Sequence, residues 1–253
     1  MKRLMIFVYG VVSYAISVAT LLYTAGFLSN LVVPKSIDSA REVPLMMALV
    51  TNLALVALFG IQHSVMARPT FKRWWTRTVP EAAERSTYML FSSAAMIVLF
   101  AFWQPMGGVV WNVSAPVGQA ILYGTFAIGW VLLLFSTFLI NHFDLFGLRQ
   151  IWLQLVGKPY EALPFKVSAL YRYVRHPIYV GWLLIFWATP TMTVAHLVCA
   201  IATSAYILIA IYFEERNLVA AHPEYEDYRR RVPMLLPSLT RHHAAAGRAA
   251  VRP

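Results

Sequence analysis

Residues 179–213 read YVGWLLIFWATPTMTVAHLVCAIATSAYILIAIYF, and none of these 35 residues is Asp, Glu, Lys or Arg. A transmembrane helix needs about 20 predominantly apolar residues to cross roughly 30 Å of hydrocarbon, so this block is too long for one helix. Thr189, Pro190 and Thr191 interrupt it near its middle, and a proline disfavours helix in the residue before it. The block therefore predicts a hairpin of two rather short membrane helices.

Four further apolar segments precede the hairpin, and each is long enough to cross a bilayer. They cover about Leu4–Leu31, Pro44–Met66, Ser86–Trp103 and Val117–Ile140. Of the 253 residues, 59% are apolar and only 13% are charged, whereas about a quarter of the residues in a soluble domain are charged. We therefore predict an all-α, polytopic membrane helical bundle with about six transmembrane helices.

The net charge of +10 comes from basic clusters that lie beside the apolar segments. These clusters fall in residues 68–85, in residues 142–176 and after residue 214, whereas residues 104–116 and 190–193 carry no charge. Six spans with both termini in the cytoplasm place every basic cluster on the cytoplasmic side, as the positive-inside rule requires. The expected partners of these clusters are membrane lipids, and no RNA-binding motif stands apart from the spans to indicate nucleic acid.

One domain accounts for most of the chain. We assign residues 1–238 to a single integral membrane domain, in which the amphipathic segment His222–Pro237 forms a short interfacial helix. Residues 239–253 are rich in Ala, Arg and His and are predicted to be a disordered tail. Cys199 is the only cysteine, which excludes an intrachain disulfide and a cysteine-based metal site, and we predict no bound metal.

Chemistry-bearing residues cluster at the two ends of the predicted hairpin. The segment 171–181 (YRYVRHPIYVG) precedes it, and Glu214 and Glu215 follow it. Two helices of about 25 Å each would return the two acids to the same membrane edge as Arg175 and His176. Such a cluster suits a zwitterionic, nucleotide-like ligand, because carboxylates hold ribose hydroxyls or an ammonium group and cations hold a carboxylate. The same composition is explained by Arg, Tyr and Glu side chains that extend to the membrane–water interface at helix ends. Composition alone leaves both interpretations open.

The same segments resemble the signature of integral membrane methyltransferases that act on isoprenylcysteine carboxyl groups and phospholipids. The resemblance implies S-adenosylmethionine as cofactor, bound at the cytoplasmic end of a helical hairpin. These enzymes usually have glycine where Ala169 stands and a Phe-Gly pair where residues 222–223 stand. The cofactor-binding residues that the resemblance implies are Tyr173, Arg175, His176, Pro177, Tyr179, Gly181, Glu214 and Glu215.

Three motifs in the first 150 residues narrow the resemblance to methanethiol S-methyltransferases and, more distantly, to NnrU-like bacterial membrane proteins. They are residues 62–69 (QHSVMARP), 84–88 (ERSTY) and 141–150 (NHFDLFGLRQ), so the resemblance covers nearly the whole chain. It implies a small volatile thiol as acceptor, dimethyl sulfide and S-adenosylhomocysteine as products, and a multi-pass location in a bacterial inner membrane.

A thiol must lose its proton to become a good nucleophile, so a base is expected near the sulfur. Ionisable residues near the ends of spans are candidates for that role. We select His63 and His142 as base or thiol-orienting groups, with Asp144 as an orienting partner. Glu84 and Arg85 are expected to form an ion pair.

Two alternatives remain at the level of sequence. The first is a membrane methyltransferase with another acceptor, such as an isoprenylcysteine carboxylate, a phospholipid or a different thiol. The second is a non-enzymatic membrane protein that binds haem or quinone or transports a solute. Haem would need axial ligands such as two facing histidines, a role for which His63 and His142 are available.

Overall fold

The computed structural model describes residues 1–39, 43–164 and 167–237. Residues 239–253, which contain the predicted tail, lie outside the described residues. Helices dominate, which confirms the predicted all-α membrane bundle. In chain order the elements are α1 (Lys2–Ser29), α2 (Leu45–Met66), α3 (Pro69–Trp75), α4 (Glu81–Phe102), β1 (Val109–Asn112), α5 (Pro116–Ile140), α6 (His142–Leu145), α7 (Leu148–Leu155), a 3-10 turn (Ala169–Arg172), α8 (Pro177–Trp187), β2 (Thr191–Thr193), α9 (Val194–Ala221) and α10 (Glu224–Arg231).

Among the described residues, five helices are long and apolar enough to cross a membrane, so the protein is a multi-pass integral membrane protein. They are α1, α2, α4, α5 and α9. The first four match the four predicted segments, with α4 starting five residues early, at Glu81 rather than Ser86. Glu81 and Glu84 lie in the first turn of α4, where negative charge is favoured by the helix dipole. The count of six spans and the side of the termini stay predictions.

The predicted hairpin is present, but its two arms are unequal. Helix α8 has 11 residues and is about 16 Å long, whereas α9 has 28 residues and is about 42 Å long. The predicted lengths of about 25 Å each are therefore wrong. The chain leaves the helical conformation after Trp187 and enters β2, which pairs antiparallel with β1.

This two-stranded sheet was not predicted, and it explains how α8 can be so short. Non-helical backbone at membrane depth must find hydrogen-bond partners inside the protein. Val113 N–H donates to Pro190 O at 2.9 Å, and the Trp111 indole donates to Thr189 O at 3.2 Å. Met192, at the centre of β2, is fully buried. The extended segment after α8 therefore has part of its backbone satisfied by hydrogen bonds within the protein.

Helix α8 packs closely on α5 through two glycines. A Cβ atom on Gly129 would lie 2.9 Å from the carbonyl oxygen of Gly181, and a Cβ on Gly181 would lie 2.8 Å from that of Gly129. Small residues allow this close approach of two membrane helices. The crossing fixes the position of α8 and therefore of the residues at its first turn.

Helix α4 is joined to α1 by buried hydroxyl groups. Ser93 Oγ donates to Ser17 Oγ at 3.0 Å, and the Tyr9 hydroxyl donates to Thr87 Oγ1 at 2.9 Å. Helix α2 packs against both α4 and α9, and α9 packs against α8. These contacts bring α2, α4, α8 and α9 together at the end of the bundle where α8 begins.

Candidate active site

The start of α8 is a corner formed by Arg175, His176 and Pro177. Proline fits the first helical position, and it keeps the residue before it out of the helical conformation. The backbone N–H groups of Arg175 and His176 therefore point out of the helix. They donate to Pro233 O at 2.9 Å and to Met234 O at 3.2 Å. The segment that follows α10 thus holds the corner in place.

The side chains of this corner converge on Glu215 of α9. Arg175 Nε donates to Glu215 Oε1 at 2.7 Å, and His176 Nε2 lies 3.0 Å from the same oxygen. Both His176 and Glu215 are buried. Arg229 adds a further cation 3.9 Å from the other carboxylate oxygen. Charge-assisted bonds of this kind are the strong ones, so Glu215 joins the start of α8 to α9 inside the protein.

Arg175 also holds α10. Its second donor group, NH1, bonds Arg229 O at 2.8 Å and Val232 O at 2.6 Å, which are carbonyls at the end of α10 that no helix residue can satisfy. Tyr228 donates to Tyr171 O at 2.6 Å, and burial raises the pKa of Tyr228 to about 12, which keeps this phenol a neutral donor. The predicted helix is thus confirmed over residues 224–231 only, and it lies against the site; its interfacial position stays a prediction.

Glu214 differs sharply from its neighbour Glu215. Its side chain is exposed, and its Oε2 atom accepts a 2.8 Å hydrogen bond from the Tyr179 hydroxyl on α8. No residue that the structure describes donates a hydrogen bond to its other oxygen. This contact confirms that the two ends of the predicted hairpin meet, and their position at a membrane edge stays a prediction. Of the two acids, Glu214 is the one that can accept hydrogen bonds from a ligand.

Besides Tyr179, further tyrosines belong to the electrostatic surroundings of the Glu214 carboxylate. The phenol groups of Tyr88 on α4, Tyr179 on α8 and Tyr206 on α9 interact electrostatically with it. Burial, and after it the Glu214 carboxylate, raise the pKa of Tyr171 as well. We refer to these four residues as the tyrosine group.

Sequence reasoning missed Tyr88, Tyr171 and Tyr206 as members of a site. One signal was present, because Glu84, Tyr88 and Ser92 are spaced four residues apart and so share one face of α4.

His63 reaches the tyrosine group through Tyr88. Its Nε2 atom lies 2.7 Å from the Tyr88 hydroxyl, and its Nδ1 atom lies 3.0 Å from Ser92 Oγ. The ring stacks on Phe59 with 5.2 Å between centroids. The next residue, Ser64, contacts the Tyr206 hydroxyl at 3.3 Å. The end of α2 is therefore joined to α4 and α9 at the site.

His142 lies in a different cluster. Thr137 Oγ1 is 2.8 Å from its Nδ1 atom, and the Tyr14 hydroxyl is 3.0 Å from its Nε2 atom. Phe138 and Phe146 stack on its two sides, with centroids 4.4 and 4.5 Å away. Burial lowers the pKa of His142, so the ring is neutral near pH 7. Both ring nitrogens are occupied by hydroxyl groups of α1 and α5.

Asp144 does not orient His142. Its carboxylate forms an ion pair with Arg149 at 2.9 Å and accepts a 3.3 Å hydrogen bond from Tyr160. The expected orienting contact is therefore wrong.

The expected pair of Glu84 and Arg85 is also wrong. Glu84 lies 3.6 Å from Lys72, whereas Arg85 Nε donates to Leu145 O at 2.7 Å.

Comparison with curated proteins places this arrangement in a family. The chain is 54% identical to the methanethiol S-methyltransferase of Crocosphaera subtropica over 94% of this chain and 93% of that protein. It is 50% identical to the methanethiol S-methyltransferase of Mycobacterium tuberculosis over 96% of this chain and all of that protein. The chain belongs to the methanethiol S-methyltransferase family.

A more distant relative has another name, Nurim. Nurim of Xenopus laevis is 36% identical over 62% of this chain and 57% of that protein. No protein-family model matches the chain. No solved structure matches it at a significant level.

Three of the residues expected to bind a cofactor form no hydrogen bond with the Glu214 carboxylate in the described part of the chain, and they have other positions in the fold. Pro177 starts α8, and Gly181 is buried in the crossing of α8 with α5. Tyr173 follows the 3-10 turn, and its side chain is 66% exposed. The packing alone accounts for Pro177 and Gly181, and ligand contact by these three residues stays a prediction.

Proposed function

We propose that the protein transfers a methyl group from S-adenosylmethionine to methanethiol and releases dimethyl sulfide and S-adenosylhomocysteine. The observation that carries the proposal is the exposed Glu214 carboxylate, which accepts a hydrogen bond from Tyr179 at the end of the bundle where α8 begins. The names of its relatives supply the acceptor. We place the reaction at the cytoplasmic face of a bacterial inner membrane, because the basic segments next to the site follow the positive-inside rule.

The donor set fits a sulfonium nucleoside. The Glu214 oxygen to which none of the described residues donates can accept hydrogen bonds from ribose hydroxyls or an ammonium group. The tyrosine rings offer faces to an adenine or to the positive sulfonium. Bound S-adenosylmethionine supplies an activated methyl group. Arg175 and His176 contribute by fixing Glu215 and the start of α8, rather than by using their free charge on the ligand.

The protein must then align the thiol with the methyl group, exclude water and remove the thiol proton. His63 is the better placed of the two candidate histidines, because it connects to the tyrosine group through Tyr88. His142 lies against α1 and Asp144 is paired with Arg149 of α7, so both take second place as candidates. We expect His63→Gln to lower turnover more than cofactor affinity.

Purified protein in detergent, mixed with S-adenosylmethionine and methanethiol, should release dimethyl sulfide into the headspace. Calorimetry with S-adenosylmethionine tests the site separately. Glu214→Ala should weaken binding, whereas Glu224→Ala, an exposed acid on α10, should not. Failure of the wild-type protein to form dimethyl sulfide would remove the proposed reaction, and unchanged affinity in Glu214→Ala would remove the proposed site.

Two alternatives are tested in the same samples. Ethanethiol and a prenylcysteine replace methanethiol to separate thiol acceptors from lipid-like ones. A visible spectrum tests for haem, which the geometry disfavours because hydroxyl groups occupy both ring nitrogens of His63 and of His142. Reactivity of single cysteines introduced beside residues 172 and 216 tests whether both lie on the cytoplasmic side.

A further inference from the structure

The hydrogen bonds around His63 favour one of the two neutral tautomers of its ring. Ser92 Oγ donates its only hydrogen to the carbonyl oxygen of Tyr88, one helical turn earlier, at 3.0 Å. With its hydrogen used in this way, Ser92 acts as the acceptor at its contact with His63 Nδ1, and we assign the ring hydrogen to Nδ1. In the neutral ring Nε2 is then the lone-pair atom, and it accepts the 2.7 Å hydrogen bond from the Tyr88 hydroxyl.

Burial keeps the Tyr88 phenol neutral, so it can pass its proton on only as it takes another one up. The Arg85 guanidinium lies over the Tyr88 ring, 4.9 Å from the centroid. The Tyr88 side chain is only 5% exposed, so water screens this cation weakly. Phe59 covers the histidine ring and keeps it aligned with the tyrosine. The Tyr88 phenol therefore contacts a base, His63, and lies next to a cation, Arg85.

Tyr88 is also linked to the candidate cofactor site. Its partner His63 precedes Ser64, whose hydroxyl lies 3.3 Å from that of Tyr206 on α9. Glu214 belongs to the electrostatic surroundings of Tyr88. His63 itself lies behind Tyr88 and bonds only to it and to Ser92 among the described residues. Because the Tyr88 hydroxyl occupies His63 Nε2, a thiol in this site would meet the tyrosine oxygen rather than that nitrogen.

We propose that Tyr88 is the catalytic residue that takes the proton from the thiol, and that His63 takes the tyrosine proton in the same step. This inference rests on the proposed function. The thiol S–H proton moves to Tyr88 Oη while the Tyr88 hydroxyl proton moves to His63 Nε2. The thiolate then forms an S–CH3 bond as the S–CH3 bond of the sulfonium breaks, and the electron pair of that bond stays on the donor sulfur.

In this step, one thiol and one sulfonium become two thioethers and one proton. The proton rests on His63 and leaves for water through Tyr88 after the products depart. Ser92 is a positioning residue in this scheme, because it holds the tautomer in which Nε2 is free to accept.

The test uses Tyr88→Phe with two thiols of the same carbon skeleton, ethanethiol and 2,2,2-trifluoroethanethiol. The fluorinated thiol is more acidic and needs less help to ionise. General acid–base groups contribute about 10²- to 10⁴-fold to rate, so we expect kcat with ethanethiol to fall at least about 10²-fold. The loss with trifluoroethanethiol should be at least about tenfold smaller, and the S-adenosylmethionine Kd should stay within about twofold.

Tyr9→Phe is the matched control, because it also removes one interhelical phenol hydrogen bond to α4, at Thr87. It should leave both rates within about threefold. Equal losses of Tyr88→Phe with both thiols, or a loss below about threefold, would overturn the proposal.

A second variant covers the case in which Tyr88→Phe does not fold. Ser92→Ala keeps Tyr88 and His63 but frees Nδ1, and it should lower kcat about tenfold with ethanethiol and less with the acidic thiol. If Ser92→Ala turns over both thiols as fast as the wild type does, the proton relay would also be rejected. A wild-type protein that methylates neither thiol would instead reject the proposed function.

Discussion

Arg175 donates through Nε to Glu215 across 40 residues of sequence, at a distance of 2.7 Å and with both side chains about nine-tenths buried. The adjacent acid, Glu214, is exposed and contacts Tyr179 instead. Successive residues on a helix point about 100° apart, so these two adjacent glutamates face different surroundings. One carboxylate holds the fold together, and the other is available to a ligand.

Arg175→Met should destabilise the protein by about 3–5 kcal/mol, because it leaves the buried Glu215 carboxylate without its main partner. Thermal unfolding in detergent measures the change. Adding Glu215→Gln to this variant should recover part of the loss, since no unpaired charge remains. Losses that simply add in the double variant would argue against a coupled pair.

Glu214→Gln should weaken S-adenosylmethionine binding about ten- to a hundredfold, because hydrogen bonds to a charged group contribute about 1.5–3 kcal/mol. Its melting temperature should match that of the wild type, since the side chain is exposed. Calorimetry measures the affinity, with Glu224→Gln as the control. A Glu214→Gln protein that binds normally would show that the ligand uses other groups.

Gly181→Ala should destabilise the protein by about 1–3 kcal/mol, because the new Cβ would lie 2.8 Å from the Gly129 carbonyl and the two helices would have to separate. Turnover should fall too, since α8 carries Tyr179. Gly124→Ala is the control on α5: its Cβ would meet nothing within 4 Å, and alanine favours helix, so stability should rise slightly. Tolerance of both changes would contradict the close crossing.

Ala169→Gly should stabilise the protein by up to about 1 kcal/mol. Ala169 has a φ of 34°, in the region where a Cβ causes strain and glycine is favoured. The change also restores the residue usual in the methyltransferases that the sequence resembles. Ala127→Gly, at an exposed position inside α5, should instead cost about 1 kcal/mol. If both variants melt below the wild type, the strain at residue 169 is absent.

The spans could be read from the sequence because span length and apolarity are local properties. The same holds for the break in the last apolar block, where a proline and two threonines interrupt a helix whatever surrounds them. The site residues Arg175, His176, Tyr179, Glu214 and Glu215 were found together because a hairpin must return its ends to one edge.

The β1–β2 pairing could not be predicted, because its partners are about 80 residues apart and neither segment forms a strand pattern alone. The partner of Asp144 was predicted wrongly for a related reason. Sequence proximity to His142 suggested a contact, but Arg149 on α7 lies nearer to the carboxylate in space.

The sequence by itself determined that the chain is a helical membrane protein with a cationic and acidic cluster at one end of a hairpin, since apolar run length and charge position suffice for that. Only the tertiary structure decided which acid is buried, which histidine joins the tyrosine group and where α8 stops. These outcomes depend on which helix faces are brought together, and packing between distant segments sets those faces.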